Sequence, residues 1–226
     1  MKKNLFLIYM ALTSLTVSAQ SEWDNYKPTN NKYVQLTQTN LPIVFINLQG
    51  QRLASRWEDR YIAARMKIIN NGEGNLNYGD TLAHPDQTVD YEGWIAIKYR
   101  GNSSFTNSDK KPYAFQTLEK NVLPDNGGKK KKVKILGMPK DNKWGFIAPW
   151  CDETMFRDVL SFELGRPWFE WVPRARMCEV ILDGTYYGVY VICERVSKGS
   201  GRLNLNDPGE VDGDLTGDYH ISAAQR

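Results

Sequence analysis

Histidine and cysteine are scarce in this chain, and their scarcity removes several chemistries at the outset. The 226 residues hold two histidines, His84 and His220, and three cysteines, Cys151, Cys178 and Cys193. There is no CxxC pair and the histidines lie far apart in sequence, so no metal-ligating set is expected. An odd cysteine count leaves at least one thiol unpaired. Residues 178–193 read as a hairpin turning at Asp183-Gly184, which sets Cys178 opposite Val189. Cys193 then lies about 13 Å further on at about 3.3 Å per residue, whereas a disulfide needs Cα atoms within ~7 Å. Both cysteines therefore read as small buried apolar side chains.

Other signatures are also missing. No GxSxG is present and neither histidine has an evident partner, which argues against a serine hydrolase. No GxxxxGK[ST] loop is present, which excludes a standard phosphate-cradling loop. Acidic residues number 26, yet nothing selects the opposed pair a glycosidase needs. Asp152 reads as a helix cap, and Asp183 and Asp212 as turn residues. The formal charge is +3, and removing Lys2 and Lys3 takes it to +1. So balanced a chain gives no case for nucleic acid or an acidic membrane surface. The one basic cluster, Lys129–Lys132 with Lys134, reads as a solvated loop entering a strand.

Long apolar runs are absent beyond the first residues. Lys2 and Lys3 precede Leu5–Leu12, and Val17-Ser18-Ala19 is a small-residue cleavage site. Residues 1–19 thus read as a signal peptide, too short for a transmembrane anchor, with Gln20 as the mature start. No cysteine follows, so a lipid anchor is not expected. The reading is an exported protein, periplasmic, cell-surface or extracellular, with no transmembrane segment. Residues 20–40 are polar and read as a flexible leader.

What is present is mostly β pattern. Strands are expected over 41–47, 62–69, 94–99, 113–117 and 133–136, punctuated by Gly-, Asn- and Pro-rich turns. Residues 70–88 read as loop. One helix is expected to begin after Asp152 as N-cap and to stop at Gly165 before Pro167. Its stripes Met155-Val159-Phe162 and Phe156-Leu160-Leu164 adjoin, which predicts a wide face packed on a sheet. In the 178–194 hairpin the alternation predicts one face with Cys178, Val180, Leu182, Tyr187, Val189, Val191 and Cys193. The other face carries Glu179, Ile181, Tyr186, Tyr190, Ile192 and Glu194.

The most informative stretch is Tyr99-Arg100-Gly101-Asn102-Ser103-Ser104, followed by Lys110-Lys111-Pro112-Tyr113. It reads as strand, small-residue loop, paired lysines, strand. Gly101 lets backbone approach a ligand, loop N–H groups can form an anion-binding concavity, and the lysines can neutralise phosphate. The order of motifs adds to this. Leu41-Pro42-Ile43-Val44-Phe45-Ile46 opens the series, and Leu136-Gly137-Met138-Pro139 with Trp144 follows the lysines. Next come Asp152-Glu153-Thr154-Met155-Phe156-Arg157 and the hairpin Glu179–Tyr190 containing Gly184-Thr185-Tyr186-Tyr187-Gly188-Val189-Tyr190, with Glu194 and Arg202 behind it.

This series resembles the spore coat protein H (CotH) kinase family over about residues 41–217. The resemblance implies an α+β fold, mostly antiparallel β-sheet with one packed helix, like the nucleotide-binding half of an atypical kinase-like two-lobed fold. It implies ATP with Mg or another divalent metal, and transfer of the γ-phosphate to Ser or Thr of an extracellular or coat protein. Carried over by position, Arg100, Asn102 and Ser103 line the phosphates, Lys110 or Lys111 contacts them, and Glu194 lies near the nucleotide. The plainer reading of Glu194 is an ion pair with Arg195 or Arg202. The family's acidic motifs for metal and acceptor hydroxyl come in its C-terminal half, so catalytic residues are expected beyond residue 226. Asp218 stands where the family has a second glycine, and residues 218–226 read as an irregular, truncated tail. The chain alone is therefore expected to be an incomplete and inactive nucleotide-binding half. The competing reading is a non-enzymatic surface module binding glycan or protein. It draws on seven Trp and twelve Tyr, although Trp144, Trp150, Trp168 and Trp171 read first as core.

Overall fold

The computed structural model describes residues 34–204. The expected signal peptide, most of the expected leader and the expected 218–226 tail lie outside the described residues. In chain order the strands are β1 (Gln38–Thr39), β2 (Ile43–Asn47), β3 (Ile62–Ile69), β4 (Asn77–Tyr78) and β5 (Val89–Tyr99). A single helical turn, α1 (Ser103–Thr106), precedes β6 (Tyr113–Leu118), β7 (Val133–Ile135), β8 (Met138–Asp141) and β9 (Lys143–Ile147). Helix α2 (Arg157–Gly165) leads to β10 (Ala175–Leu182) and β11 (Thr185–Glu194).

Seven strands close into a barrel in the order β10-β11-β9-β6-β5-β3-β2. All neighbours are antiparallel except the closing pair, where Glu179–Leu182 of β10 runs parallel to Ile43–Ile46 of β2. The sequence indicates the mostly antiparallel sheet and its helix. It does not indicate closure, because the seam joins strands from opposite ends of the described chain. Alternation fills the interior, with Val44, Ile46, Met66, Ile95, Ile97, Phe115, Trp144, Phe146 and Tyr190 all fully buried. Each such side chain contributes roughly 1.5–3 kcal/mol by leaving water. Outside the barrel, Ile43, Phe45, Ile69 and Ile181 lie under Leu36 and Tyr186. Ala175, Val191 and Cys193 lie under Val159 and Phe162 of α2.

Two expectations need correction. The hairpin carries a bulge: Val180 pairs with Gly188 but Ile181 with Tyr186, so Tyr187 is the extra residue and Cys178 faces Tyr190 rather than Val189. Gly188 supplies the positive φ, 82°. One inserted residue swaps the faces beyond it, so Tyr190 and Ile192 share the interior with Cys178 and Val180, while Val191 and Cys193 face out. Cys178 and Cys193 are both free and buried, as expected.

The helix begins at Arg157, later than predicted. Asp152 caps the preceding turn instead. Its Oδ1 accepts from the Thr154 N–H at 3.0 Å and its Oδ2 from the Arg157 N–H at 2.9 Å. Met155 bends the chain between them at φ 60°. Only half of the predicted face is covered. Val159 and Phe162 pack on the barrel, whereas Phe156, Leu160 and Leu164 are exposed. Among the tryptophans, Trp144 is core, but Trp150 and Trp168 are exposed, the latter at 82%.

Candidate anion cleft

β5 ends at Tyr99, packed on the interior, so the next side chain, Arg100, points outward. It crosses the outer face at Gly145, where a Cβ would come within 2.7 Å of Arg100 Nη1. The missing side chain in β9 is what leaves room for the guanidinium there. Arg100 reaches the Cys193 thiol and the first turn of α2, where Asp158 stands. Burial pushes the Cys193 thiol up to about 11, so it is no nucleophile at neutral pH. Burial also raises the Asp158 carboxyl, the Asp152 charge adds to this, and Arg100 opposes it.

The space between α2 and the barrel is a cleft of about 260 Å³, lined by Arg100, Phe162, Pro173, Cys193, Glu194, Arg195 and neighbours. The Glu194 side chain is 0% exposed. Its carboxylate accepts from the Arg174 N–H at 3.0 Å and from Arg174 Nη1 at 3.1 Å, and Arg202 Nε lies 3.8 Å away. Glu194 is thus balanced by two guanidinium groups. The sequence reading names Arg202 correctly but Arg195 incorrectly. Arg195 instead donates weakly to the Tyr61 hydroxyl, at 3.4 Å, and lines the cleft. With Glu194 paired, Arg100, which Asp158 faces, and Arg195 are the cations left lining the cleft. Arg195 was not among the residues selected from sequence. Only the fold brings the ends of β5 and β11 together across β6 and β9.

The other selected residues lie elsewhere. Asn102 and Ser103 are exposed at the start of α1, so the expected loop is partly a helical turn. Gly101 precedes it at φ 84°, where a Cβ would meet Ser104 Oγ at 2.3 Å, so this position requires glycine. Lys111 folds back on that loop, and its Nζ donates to the carbonyls of Phe105 and Ser108. Lys110 donates to the Val189 carbonyl and lies 4.9 Å from the Tyr190 ring centroid. Burial pushes the Lys110 amine down, opposed by Glu179 and Cys178. The structure therefore brings Arg100 and Glu194 together and directs both lysines to backbone carbonyls. Among the described residues no group of three or more His, Cys, Asp or Glu could hold a metal ion. These residues do not fit the divalent metal that accompanies ATP. No helix among them is long and apolar enough to cross a membrane.

The barrel thus carries, under one helix, a cleft lined by the two guanidinium groups of Arg100 and Arg195. The family model for CotH kinase protein matches residues 97–216. That is more than half of the 226 residues, and the chain belongs to the CotH kinase family. The match runs from the end of β5 through the hairpin, and so includes Arg100, α1, both lysines and Glu194. It begins after β2 and β3, which the sequence resemblance took in from residue 41. No curated protein matches the chain.

Proposed function

We propose that this chain is the nucleotide-binding portion of an exported CotH-type protein kinase, holding the phosphates of ATP in the cleft between α2 and the barrel. The observation that carries this reading is Arg100, laid across Gly145 into a cleft where Arg195 is the second cation and Glu194 is already neutralised. Two guanidinium groups suit a polyphosphate, because each offers a planar fork of donors to phosphate oxygens. Phosphoryl transfer depends mainly on such positioning and charge compensation. In this reading Lys111 shapes the 101–111 loop, and Asn102 and Ser103 meet the nucleotide from its exposed side. Lys110 braces β11. The barrel is the counterpart of a kinase nucleotide lobe. The acceptor is a Ser or Thr of an extracellular or coat protein. Among the described residues no acidic cluster could hold the metal, so no transfer step is assigned to residues of this chain. Export rests on Lys2, Lys3, Leu5–Leu12 and Val17-Ser18-Ala19.

The test is ligand-dependent melting of the purified chain. ATP at about one hundred times its Kd should add about 2.7 kcal/mol of stability. Arg100→Ala and Arg195→Ala should each remove most of that gain. Labelled phosphate transfer by this chain alone should be absent. No stabilisation by ATP, or full stabilisation in both variants, overturns the nucleotide reading.

A second reading, a surface module for a protein partner, draws on the exposed ridge Phe156, Leu160, Leu164, Trp168 and Phe169 along and just after α2. Its test is charge substitution along that ridge with ATP binding left intact.

A further inference from the structure

Two adjoining clefts lie along the 70–88 segment, the second between it and residues 35–38, outside the barrel interior and the anion cleft. Their volumes are about 440 Å³ and 360 Å³, within the roughly 300–1,000 Å³ of small-molecule sites. They share a wall containing Tyr78, Ala83 and His84. In that wall the Tyr78 and His84 rings stack, with centroids 3.7 Å apart and planes 9° from parallel.

The wall is held by its own loop. The Gln87 side chain accepts from the Tyr78 N–H at 2.7 Å and donates to the Tyr78 carbonyl at 3.0 Å. Asp80 Oδ1 accepts from the N–H groups of Leu82 and Ala83, and the His84 N–H donates to the Asp80 carbonyl. Asn71 ties the two arms of the segment, donating to the Leu76 carbonyl and accepting from the Thr88 N–H. A long segment with only the two-residue β4, yet pinned this densely, presents its side chains in fixed positions.

The lining selects the ligand. Neither cleft is lined by a lysine or arginine, so nothing there compensates an anionic ligand. Beside the flat aromatic pair stand the Asn75 amide and the Asp86 carboxylate. No hydrogen bond among the described residues uses the Asp86 carboxylate or the ring nitrogens of His84. A pyranose matches this set: its C–H face stacks on an aromatic ring, and its hydroxyls donate to carboxylate and amide oxygens and exchange hydrogen bonds with imidazole. His84 and Asp86 are exposed, so the clefts open broadly to solvent. That shape suits a chain crossing the surface better than a small molecule enclosed by it.

We propose that the stacked Tyr78–His84 wall, with Asn75 and Asp86, is a binding site for an uncharged saccharide chain. It would hold the protein on a polysaccharide or a glycosylated surface while the anion cleft stays open, and it does not depend on the nucleotide reading.

The test is calorimetric titration of the full chain with tetrasaccharides of β-linked glucose, xylose, mannose and N-acetylglucosamine. At least one should bind with a Kd well below millimolar. His84→Ala and Asp86→Asn should each weaken it by about tenfold or more, a loss of about 1.4 kcal/mol. Arg100→Ala should leave it unchanged. Melting of each variant checks folding, and His84→Phe, which keeps a stacked ring but removes both nitrogens, stands in if His84→Ala is unstable. Binding of none of these sugars, undiminished binding by the His84 and Asp86 variants, or binding restricted to sulfated or phosphorylated sugars overturns the proposal.

Discussion

At the scale of the residue, charge is managed by burial. The Arg202 side chain is 1% exposed, lies over the Trp144 ring, donates to the carbonyls of Lys143 and Arg195, and faces both Asp141 and Glu194. Removing one member of a buried ion network leaves the others uncompensated. Arg202→Met should therefore cost about 3–5 kcal/mol in denaturant unfolding. A loss under 1 kcal/mol would show the network to be dispensable. Asp158 gives a pH signature. Its folded pKa lies above the unfolded value, so its contribution is fully present below the unfolded pKa and is lost as pH rises through the folded one. Asp158→Asn, which cannot ionise, should gain stability relative to the parent as pH rises from 3 to 7. A difference independent of pH would contradict this. The sequence shows Glu194 as a charge in need of a partner, and it offers Arg195 or Arg202, of which only Arg202 is near it. It cannot offer Arg174, because that contact exists only when the residue just before β10 lies beside the end of β11, where the Glu194 N–H donates to the Arg174 carbonyl.

At the scale of the element, small local events reassign whole faces. Strict alternation along 185–194 misplaces Tyr190, because the bulge at Tyr187 has no signature in side-chain pattern beyond the glycine after it. Helix α2 shows the same limit. Its two apolar stripes are equally visible in sequence, yet only Val159 and Phe162 find the outer face of β10 and β11. Their different burial makes a direct comparison possible. Val159→Ala and Phe162→Ala should each destabilise by about 1–3 kcal/mol, while Leu160→Lys and Leu164→Lys should stay within about 0.5 kcal/mol. Thermal melts of the four variants check this. Equal losses in both sets would mean that the exposed stripe is covered in solution. α1 and the lysines add a further lesson. Lys110 and Lys111 look like phosphate ligands in sequence because both are cationic beside a glycine loop. Whether an ammonium meets a ligand or a carbonyl of its own chain depends on loop geometry.

At the scale of the whole molecule, the barrel depends on one parallel seam. The successive hairpins are readable because their strands follow one another with turn signals between. The β2–β10 pairing is not, because hydrophobic pattern carries no information about which distant strand completes a sheet. A charge at the seam should be severe: Val44→Lys places an ammonium in the barrel interior and should abolish cooperative unfolding or cost more than about 4 kcal/mol. A cooperative melt near that of the parent would contradict the closed arrangement.

The seam also bears on how the molecule can be divided. A polypeptide trimmed to the family-matched region, 97–216, lacks β2, β3 and most of β5. Its β10 and β6 are left with bare, unsatisfied margins of the kind that recruit foreign strands. Such a piece should precipitate when expressed by itself. Supplied in trans with a second polypeptide carrying residues 34–96, it should reassemble into a soluble heterodimer, with the excised strands acting as a detachable stave.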